Sequence, residues 1–535
     1  MCDYHPKHKA TTQDIHNQEH KQWSRRSFLQ ALGLVGGGSI LLGAKSISAS
    51  VPSPLASALT NSESDRILVL IRLKGGNDGL NTIVPIYDYD RYANLRPTLK
   101  LDESSLYHLS DDFGLPSFMS DLQSMWGDGA MKVVHGVGYD HSSLSHFSGS
   151  DIWASTDLNE SVQTGWWGRH FEELYPDYLV TPPEIPPAIQ IGSVGNLIFD
   201  GTVNNYAFSV ANPNQLESIA ESGIIHDMTD LPDCTYGNQL AFMRGVTNTT
   251  YNYAGVIHDA YSNSSNAVEY TDDDLGQQLA IVARMIKGNL GTKVYMVTLG
   301  GFDTHANQEE EHQTLLNSLS SAVKLFFDDL GATGQDQDVL AMTFSEFGRR
   351  AFENGSQGTD HGAAAPILFF GPALEDHGFV GTHPDLNALD ANGSLTHHID
   401  FRQIYATVMQ EWLCIDPATV SQALLGETFD LVDLGFSCSS LGIDNPSPIA
   451  TFSHTPIYDN DLVSIRITSV NTQHTVVKLF NILGQEVATL KNEILFAGVH
   501  TINVKNAANT RLHQGQYIYR ISAGGSHYSR SIIVR

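Results

Sequence analysis

The sequence predicts an α/β protein, built on a doubly wound and mainly parallel sheet and followed by a small C-terminal β-sandwich. Three observations predict it. Near-continuous apolar runs of strand length recur along the first four-fifths of the chain. Segments between them repeat apolar residues at a three-to-four spacing. After Cys438 the texture changes to short alternating runs separated by turn residues.

The apolar runs are Ile67–Leu73, Met131–Val137, Val294–Leu299, Val339–Phe344 and Ile367–Phe370. Runs without alternation suit strands covered on both faces, as in a parallel sheet flanked by helices. The helical segments are Leu275–Ile286, Leu315–Leu330 and Asp400–Leu413, whose apolar stripes mark core-facing helices. Strand and helix alternating in this way define a doubly wound fold, in which ligands gather at the carboxyl ends of the strands. In the tail, Asn445-Pro446-Ser447-Pro448 is a turn-rich linker. The runs Val476–Leu483, Val499–Val504, Tyr517–Ile521 and Ser531–Val534 then read as strands of a sandwich.

The chain has 535 residues, long enough for a large domain and a small one, and 41% of them are hydrophobic, which excludes a disordered chain. Its formal net charge of −29 argues against sequence-independent binding to nucleic acid, which needs a basic face to displace counterions. Four cysteines (Cys2, Cys234, Cys414, Cys438) form no Cys-x-x-Cys pair, so a thiolate zinc site is not expected. Cys414 and Cys438 are either a disulfide or idle thiols.

At the N-terminus, Ser24-Arg25-Arg26-Ser27-Phe28-Leu29 precedes a short Gly-rich apolar run ending near Ala44, then small residues at Ser48-Ala49-Ser50. The run is too short for a comfortable transmembrane span, and the layout is that of a cleaved export signal. The paired arginines followed by Phe-Leu resemble a twin-arginine signal. The expected organisation is therefore a signal over 1–50, a linker over 51–65, the α/β domain over 66–440, a second linker over 441–455 and the β-domain over 456–535. No transmembrane span is expected in the mature protein.

Groups capable of chemistry fall just past the strand ends. Lys74-Gly75-Gly76-Asn77-Asp78-Gly79 follows the first run, and Gly138 to Phe147, with Ser145 and His146, follows the second. Gly300-Gly301-Phe302-Asp303-Thr304-His305 follows the third, and Ser345-Glu346-Phe347-Gly348-Arg349 the fourth. Asp360-His361-Gly362 precedes the fifth. Each alone is a turn, a cap or a local ion pair. Together, carboxylates and histidines converging on one rim repel and desolvate one another unless a cation or ligand compensates. Mixed carboxylate and imidazole ligands suit Zn, Mn or Fe, and carboxylates alone suit Ca or Mg. The expected ligands of a divalent metal (Zn, Mn or Ca) are Asp78, Asp303, His305, Glu346, Asp360 and His361. Ser145 and Arg349 are the candidate catalytic residues.

Gly75–Gly79, Ser145-His146-Phe147, Gly165-Trp166-Trp167-Gly168-Arg169, Gly301–His305, Ser345–Arg349 and Asp360-His361-Gly362 resemble the domain-of-unknown-function family 1501. That family is grouped with the alkaline phosphatase and sulfatase superfamily. The resemblance, over about Arg66 to Leu434, implies an alkaline-phosphatase-like fold and a metal-dependent hydrolase site. It places Asp78 at a metal-binding aspartate. It places Ser145 where a nucleophilic hydroxyl opens a helix, activated by metal and by the helix dipole. Asp303 and His305 fall at an Asp and His of one metal site, and His361 at the last metal histidine. Glu346-Phe347 stands where an Asp-His pair is usual, so one ligand of a two-metal site is missing. In the tail, Lys478–Val487, Gly515–Arg520 and Ile532–Arg535 closely resemble the type A sorting domain of the type IX secretion system. That resemblance implies export across the outer membrane by the type IX machinery, often with attachment to a surface polysaccharide, while the N-terminal signal implies the twin-arginine machinery as a further partner.

Two functions compete at this point. One is an exported metal-dependent hydrolase of phosphate esters, with Arg349 holding the anionic group. Sulfate esters are less expected, because no Cys/Ser-x-Pro-x-Arg motif is present. The other is a non-catalytic surface protein of the same fold that binds glycan or another envelope component.

Overall fold

A computed structural model describes residues 66–192, 195–228, 231, 235–374 and 378–438. In the tail it describes 452–534 apart from 460–461, 470–471, 482–485, 497, 508–511, 514 and 524–525. The signal segment and Cys234 lie outside the described residues. The chain divides into two compact units, one ending at Cys438 and one running from Ser439 to Arg535.

The first unit is organised by one sheet. Its strands are β1 (Ile67–Lys74), β2 (Met131–Gly138), β3 (Ala188–Ile191), β4 (Ala207–Val210), β5 (Val294–Gly300), β6 (Val339–Phe344), β7 (Ala365–Phe370), β8 (Gly378–Val380) and β9 (Ile399–Asp400). Their spatial order is β8-β2-β7-β6-β1-β5-β3-β4, with β9 beside β2. All five apolar runs are strands of this sheet, and β1, β6 and their neighbours carry side chains that are almost wholly buried. β1 runs parallel to both β5 and β6, and β3 parallel to β4 and β5.

One expectation is corrected. β7 is antiparallel to both of its neighbours, β2 and β6. Burial on both faces gives antiparallel and parallel strands the same apolar pattern, so the sequence does not separate them. The reversal matters for the site. The residues that enter β7 lie at the rim where β1, β2, β5 and β6 end, which is how Asp360 and His361 reach it from before their strand.

Among the helices, α1 is His146–Ser155, α2 Trp166–Leu174, α3 Thr235–Ser262, α4 Asp274–Lys287, α5 Gln308–Gly331 and α6 Phe401–Thr407. The three expected helical stripes correspond to α4, α5 and α6, and α6 continues as a π-helical turn over Val408–Trp412. α3 and the short strands β3, β4, β8 and β9 were not expected. Four residues or fewer leave too little pattern to read in such strands. Cys414 and Cys438 form a disulfide.

Aromatic packing fixes α1. Trp153, near its end, stacks on Phe401 at 4.5 Å, and Tyr405 donates a hydrogen bond to the Trp153 carbonyl at 3.0 Å. Trp166 of α2 stacks on Tyr405 at 4.2 Å. Arg72 of β1 donates to Ser150 Oγ at 2.8 Å. A helix so anchored at its far end presents His146, its first residue, at a set place.

The second unit contains β10 (Phe452–Asp459), β11 (Leu462–Ser469), β12 (Gln473–Asn481), β13 (Glu486–Leu495), β14 (Gly498–Asn503), β15 (Gly515–Ala523) and β16 (Ser526–Val534). They form two sheets, β10-β11-β14 and β13-β12-β15-β16. Ile465 and Ile467 from the first sheet share one core with Val477, Leu479, Tyr519, Ile521 and Ile532 from the second, as in a sandwich.

Candidate metal centre

Four loops meet at the rim, and buried polar contacts lock them together. Gly75, at φ +125°, lets the loop after β1 come so close to the Phe302–Asp303 backbone that a Cβ would lie 2.4 Å from the Asp303 nitrogen. Ser345 Oγ donates to the Leu73 carbonyl at 2.6 Å and accepts from Asn77 N at 3.1 Å. Gln308, which opens α5, accepts from Thr304 Oγ1 at 3.1 Å and from Thr359 Oγ1 at 2.6 Å.

Within this frame three imidazoles face one carboxylate oxygen. Asp303 Oδ1 lies 3.3 Å from His146 Nε2, 3.1 Å from His305 Nε2 and 3.1 Å from His361 Nε2. His305 Nε2 and His361 Nε2 are 2.9 Å apart. Each ring is held from behind by its other nitrogen. His146 Nδ1 is 3.0 Å from Glu346 Oε1, His305 Nδ1 is 3.3 Å from Asp360 Oδ1, and His361 Nδ1 is 2.7 Å from the Leu144 carbonyl.

These partners are acceptors, and with the proton on each Nδ1 every neutral ring turns a lone pair inward at Nε2. Lone pairs at 2.9 Å from one another and about 3 Å from a carboxylate oxygen repel unless a proton or cation lies among them. A histidine backed by a carboxylate or carbonyl and presenting its free nitrogen is the arrangement that metal ligands adopt. His146, Asp303 and His361 offer ligand atoms that all lie within 4.8 Å of one another, and His305 adjoins them. The donor set of imidazole nitrogens and one carboxylate fits a divalent transition ion.

The electrostatics agree. Burial raises the Asp303 pKa, but Arg349, by its hydrogen bond and by its charge, is the main opposing influence, and the carboxyl is held well below the usual range. Asp360 is also lowered, chiefly by the hydrogen bond from Asn354. Burial lowers His361, which favours the neutral ring that can act as a ligand.

Of the expected ligands, the structure brings Asp303, His305 and His361 together with their Nε2 and Oδ1 atoms facing. It places Glu346 and Asp360 one layer behind, each on a histidine. Asp78 stands apart from this cluster. It is buried, paired with Arg96 Nη1 at 2.5 Å, and it accepts from Gln308.

Arg349 differs from expectation. Its side chain is wholly buried, and its nitrogens are taken by Gly76 O, Thr359 O, Gly75 O, Phe302 O and Asp303 Oδ1. An arginine so engaged holds the loops and Asp303 in place and, being wholly buried, offers no exposed edge to an anion. Ser145 is exposed and occupies the N-cap position of α1, yet its side chain makes no capping hydrogen bond. Phe347, in place of a histidine, is buried, with its ring centroid 4.9 Å from that of His146 and 4.3 Å from that of His361.

His146 was not among the expected ligands. The signal for it was available, because it sits beside Ser145 in the Ser-His-Phe motif after β2. What the sequence lacked was any sign that α1 turns this ring toward Asp303 rather than toward solvent.

An α/β unit with a histidine–aspartate cluster at the carboxyl rim of its sheet defines a candidate metalloprotein. Residues 252–438 match the family described as "Protein of unknown function (DUF1501)", and residues 457–535 match the "Secretion system C-terminal sorting domain". Residues 252–438 are thus similar to that family, and the similarity of residues 457–535 to a sorting domain indicates export to the cell surface. Three of the six motifs, Gly301–His305, Ser345–Arg349 and Asp360–Gly362, lie inside the first match. No helix among the described residues is long and apolar enough to cross a membrane.

No curated protein matches the sequence. Solved structures similar to this chain include a PsFucS1 sulfatase from Pseudoalteromonas sp., at 9% identity over 85% of this chain and 89% of that one, TM-score 0.32. A protein in the alkaline phosphatase superfamily from Vibrio parahaemolyticus is 9% identical over 76% of each chain, TM-score 0.28. An alkaline phosphatase from the Antarctic bacterium TAB5 is 8% identical over 59% of this chain and 94% of that one, TM-score 0.25.

Proposed function

We propose that the α/β unit is a metal-dependent hydrolase of phosphate esters acting outside the cell. The observation that carries this reading is the convergence of three Nδ1-anchored imidazoles on Asp303 Oδ1. His146, Asp303, His305 and His361 would hold the ion. When bound, a divalent metal supplies Lewis-acid polarisation of an ester oxygen and favours a deprotonated nucleophile.

The chain's own groups supply the rest. Ser145 is the candidate nucleophile, since its exposed hydroxyl is adjacent to His146 and is not spent on capping. The amides of His146, Phe147 and Ser148 precede the first intrahelical bond of α1, from Gly149 N to Ser145 O at 2.7 Å, so they are available to an anionic oxygen at that helix end. Arg349 acts as a positioning residue that fixes Asp303. Glu346 and Asp360 set the tautomers of His146 and His305.

The test is turnover of aryl phosphate mono- and diesters by the purified full chain loaded with Zn²⁺ or Mn²⁺. Ser145→Ala and Asp303→Asn serve as controls. Metal-dependent turnover lost in both variants supports the reading. Absence of turnover on every ester, or full activity in both variants, leaves the surface-binding protein as the better account.

A further inference from the structure

The charges around the rim determine how many cations it accepts and what anion it suits. Three of its four carboxylates already have an arginine. Asp78 pairs with Arg96 at 2.5 Å, Asp303 with Arg349 at 2.8 Å and Asp360 with Arg350 at 3.3 Å. Among the described residues Glu346 pairs with no arginine, and its Oε1 faces the His146 ring and the Gly75 amide.

The Asp78–Arg96 pair is the informative one. Both side chains are almost completely buried, and the guanidinium is further held by Asn81 Oδ1 and by the carbonyls of Ala351 and Arg350. A buried aspartate needs a positive counter-charge. Here a fixed arginine supplies it. Phe347 then fills, with an aromatic ring, the space beside His146 and His361. Asp78 Oδ1 is the one atom of that carboxylate with no protein partner, and so the one atom a second cation could claim.

Resting on the hydrolase reading above, we infer that the rim takes one divalent cation, with Arg96 as a built-in second positive charge, and that its substrate is a monoanionic tetrahedral ester. With the three aspartate–arginine pairs cancelling, and exposed Lys74 offsetting exposed Asp140 in the flanking loops, the formal charge is the single negative charge of Glu346. One divalent ion brings the rim to one net positive charge, and two would bring it to three. One net positive charge complements a monoanion, such as a phosphodiester, and leaves a dianionic phosphomonoester with an uncompensated charge.

Metal content and substrate ranking test this on the full chain. Purified protein is equilibrated with Zn²⁺, desalted and assayed for metal by mass spectrometry, alongside Asp78→Asn and Asp303→Asn, with circular dichroism confirming each fold. The expected result is one zinc per chain in the wild type, one in Asp78→Asn and none in Asp303→Asn. Two zinc ions per wild-type chain, or loss of zinc from a folded Asp78→Asn, overturns the inference. Should Asp78→Asn not fold, the wild-type stoichiometry decides alone. No zinc in any form refutes the inference and the hydrolase reading together.

The second arm compares nitrophenyl phosphate, bis-nitrophenyl phosphate and nitrophenyl sulfate. A kcat/KM about tenfold higher for the diester than for the monoester is expected. A preference for the monoester refutes the charge argument while leaving the hydrolase in place. A preference for the sulfate keeps the monoanion rule and refutes the phosphate reading.

Discussion

Replacing Glu346 tests the inner architecture of the centre more sharply than replacing a ligand. Both of its hydrogen bonds end on one oxygen: Oε1 accepts from Gly75 N at 2.9 Å and faces His146 Nδ1 at 3.0 Å. Glu346 is 2% exposed, so no water substitutes easily. In Glu346→Gln the amide oxygen can keep both bonds and only the charge is lost. Glu346→Ala removes both bonds and frees the His146 ring to change tautomer. Carboxylates that back a ligating histidine are worth about 10- to 100-fold in metal affinity. The expected loss is therefore about tenfold for Gln, equivalent to about 1.4 kcal/mol, and about 100-fold for Ala. The assay is competition of the full chain with a chromophoric chelator for Zn²⁺, with the visible spectrum of the Co²⁺ form reporting ligand geometry. Unchanged affinity in both variants refutes the proposed role. A collapse beyond about a thousandfold in the Gln variant, far outside the range for an outer partner, makes Glu346 itself a ligand.

Three further outcomes are expected. Burial lowers the pKa of His170 and His383 to about 4 and that of His135 to about 3, all from 6.5. Between those values and 6.5 the unfolded chain binds more protons. Stability is therefore full above about pH 6.5 and falls on acidification, each histidine contributing on the order of 3 kcal/mol, with His135 and His383 coupled as neighbours. Urea unfolding of the metal-free protein at pH 7 and pH 5 checks this, and equal midpoints would contradict it. Reduction, or Cys414→Ser with Cys438→Ser, opens a loop with a sequence separation of 24. It should cost about 3 kcal/mol by loop entropy, read as a lower melting temperature that a reductant no longer shifts in the double variant. Removing residues 441–535 should leave zinc affinity within about twofold, because all the residues of the centre belong to the first compact unit, which ends at Cys438. A larger loss would mean that the tail supports the centre.

The sequence by itself determined the layered organisation. The five apolar runs became strands because each needs an element on both faces to bury Val, Ile and Leu at every position. The three helical stripes became helices whose buried faces include Leu279, Val282, Leu316, Val323, Ile404 and Tyr405. The sequence also placed Asp303, His305, Glu346, Asp360 and His361 beside strand ends, whereas it left Cys414 and Cys438 as either a disulfide or idle thiols, and the fold joins them. Tertiary structure decided the roles. Asp78 and Asp303 look alike in sequence, each an aspartate after glycines at a strand end. Arg96, 18 residues after Asp78, neutralises that carboxylate from another part of the fold. Arg349 looked available for an anion until five acceptors from three loops closed around it. His146 looked like a neighbour of Ser145 until the stacking of Trp153 on Phe401 fixed the helix that aims it. A motif specifies which groups are near a rim. Which atom of each group faces inward depends on partners distant in sequence, and these are set only when the sheet brings its loops together.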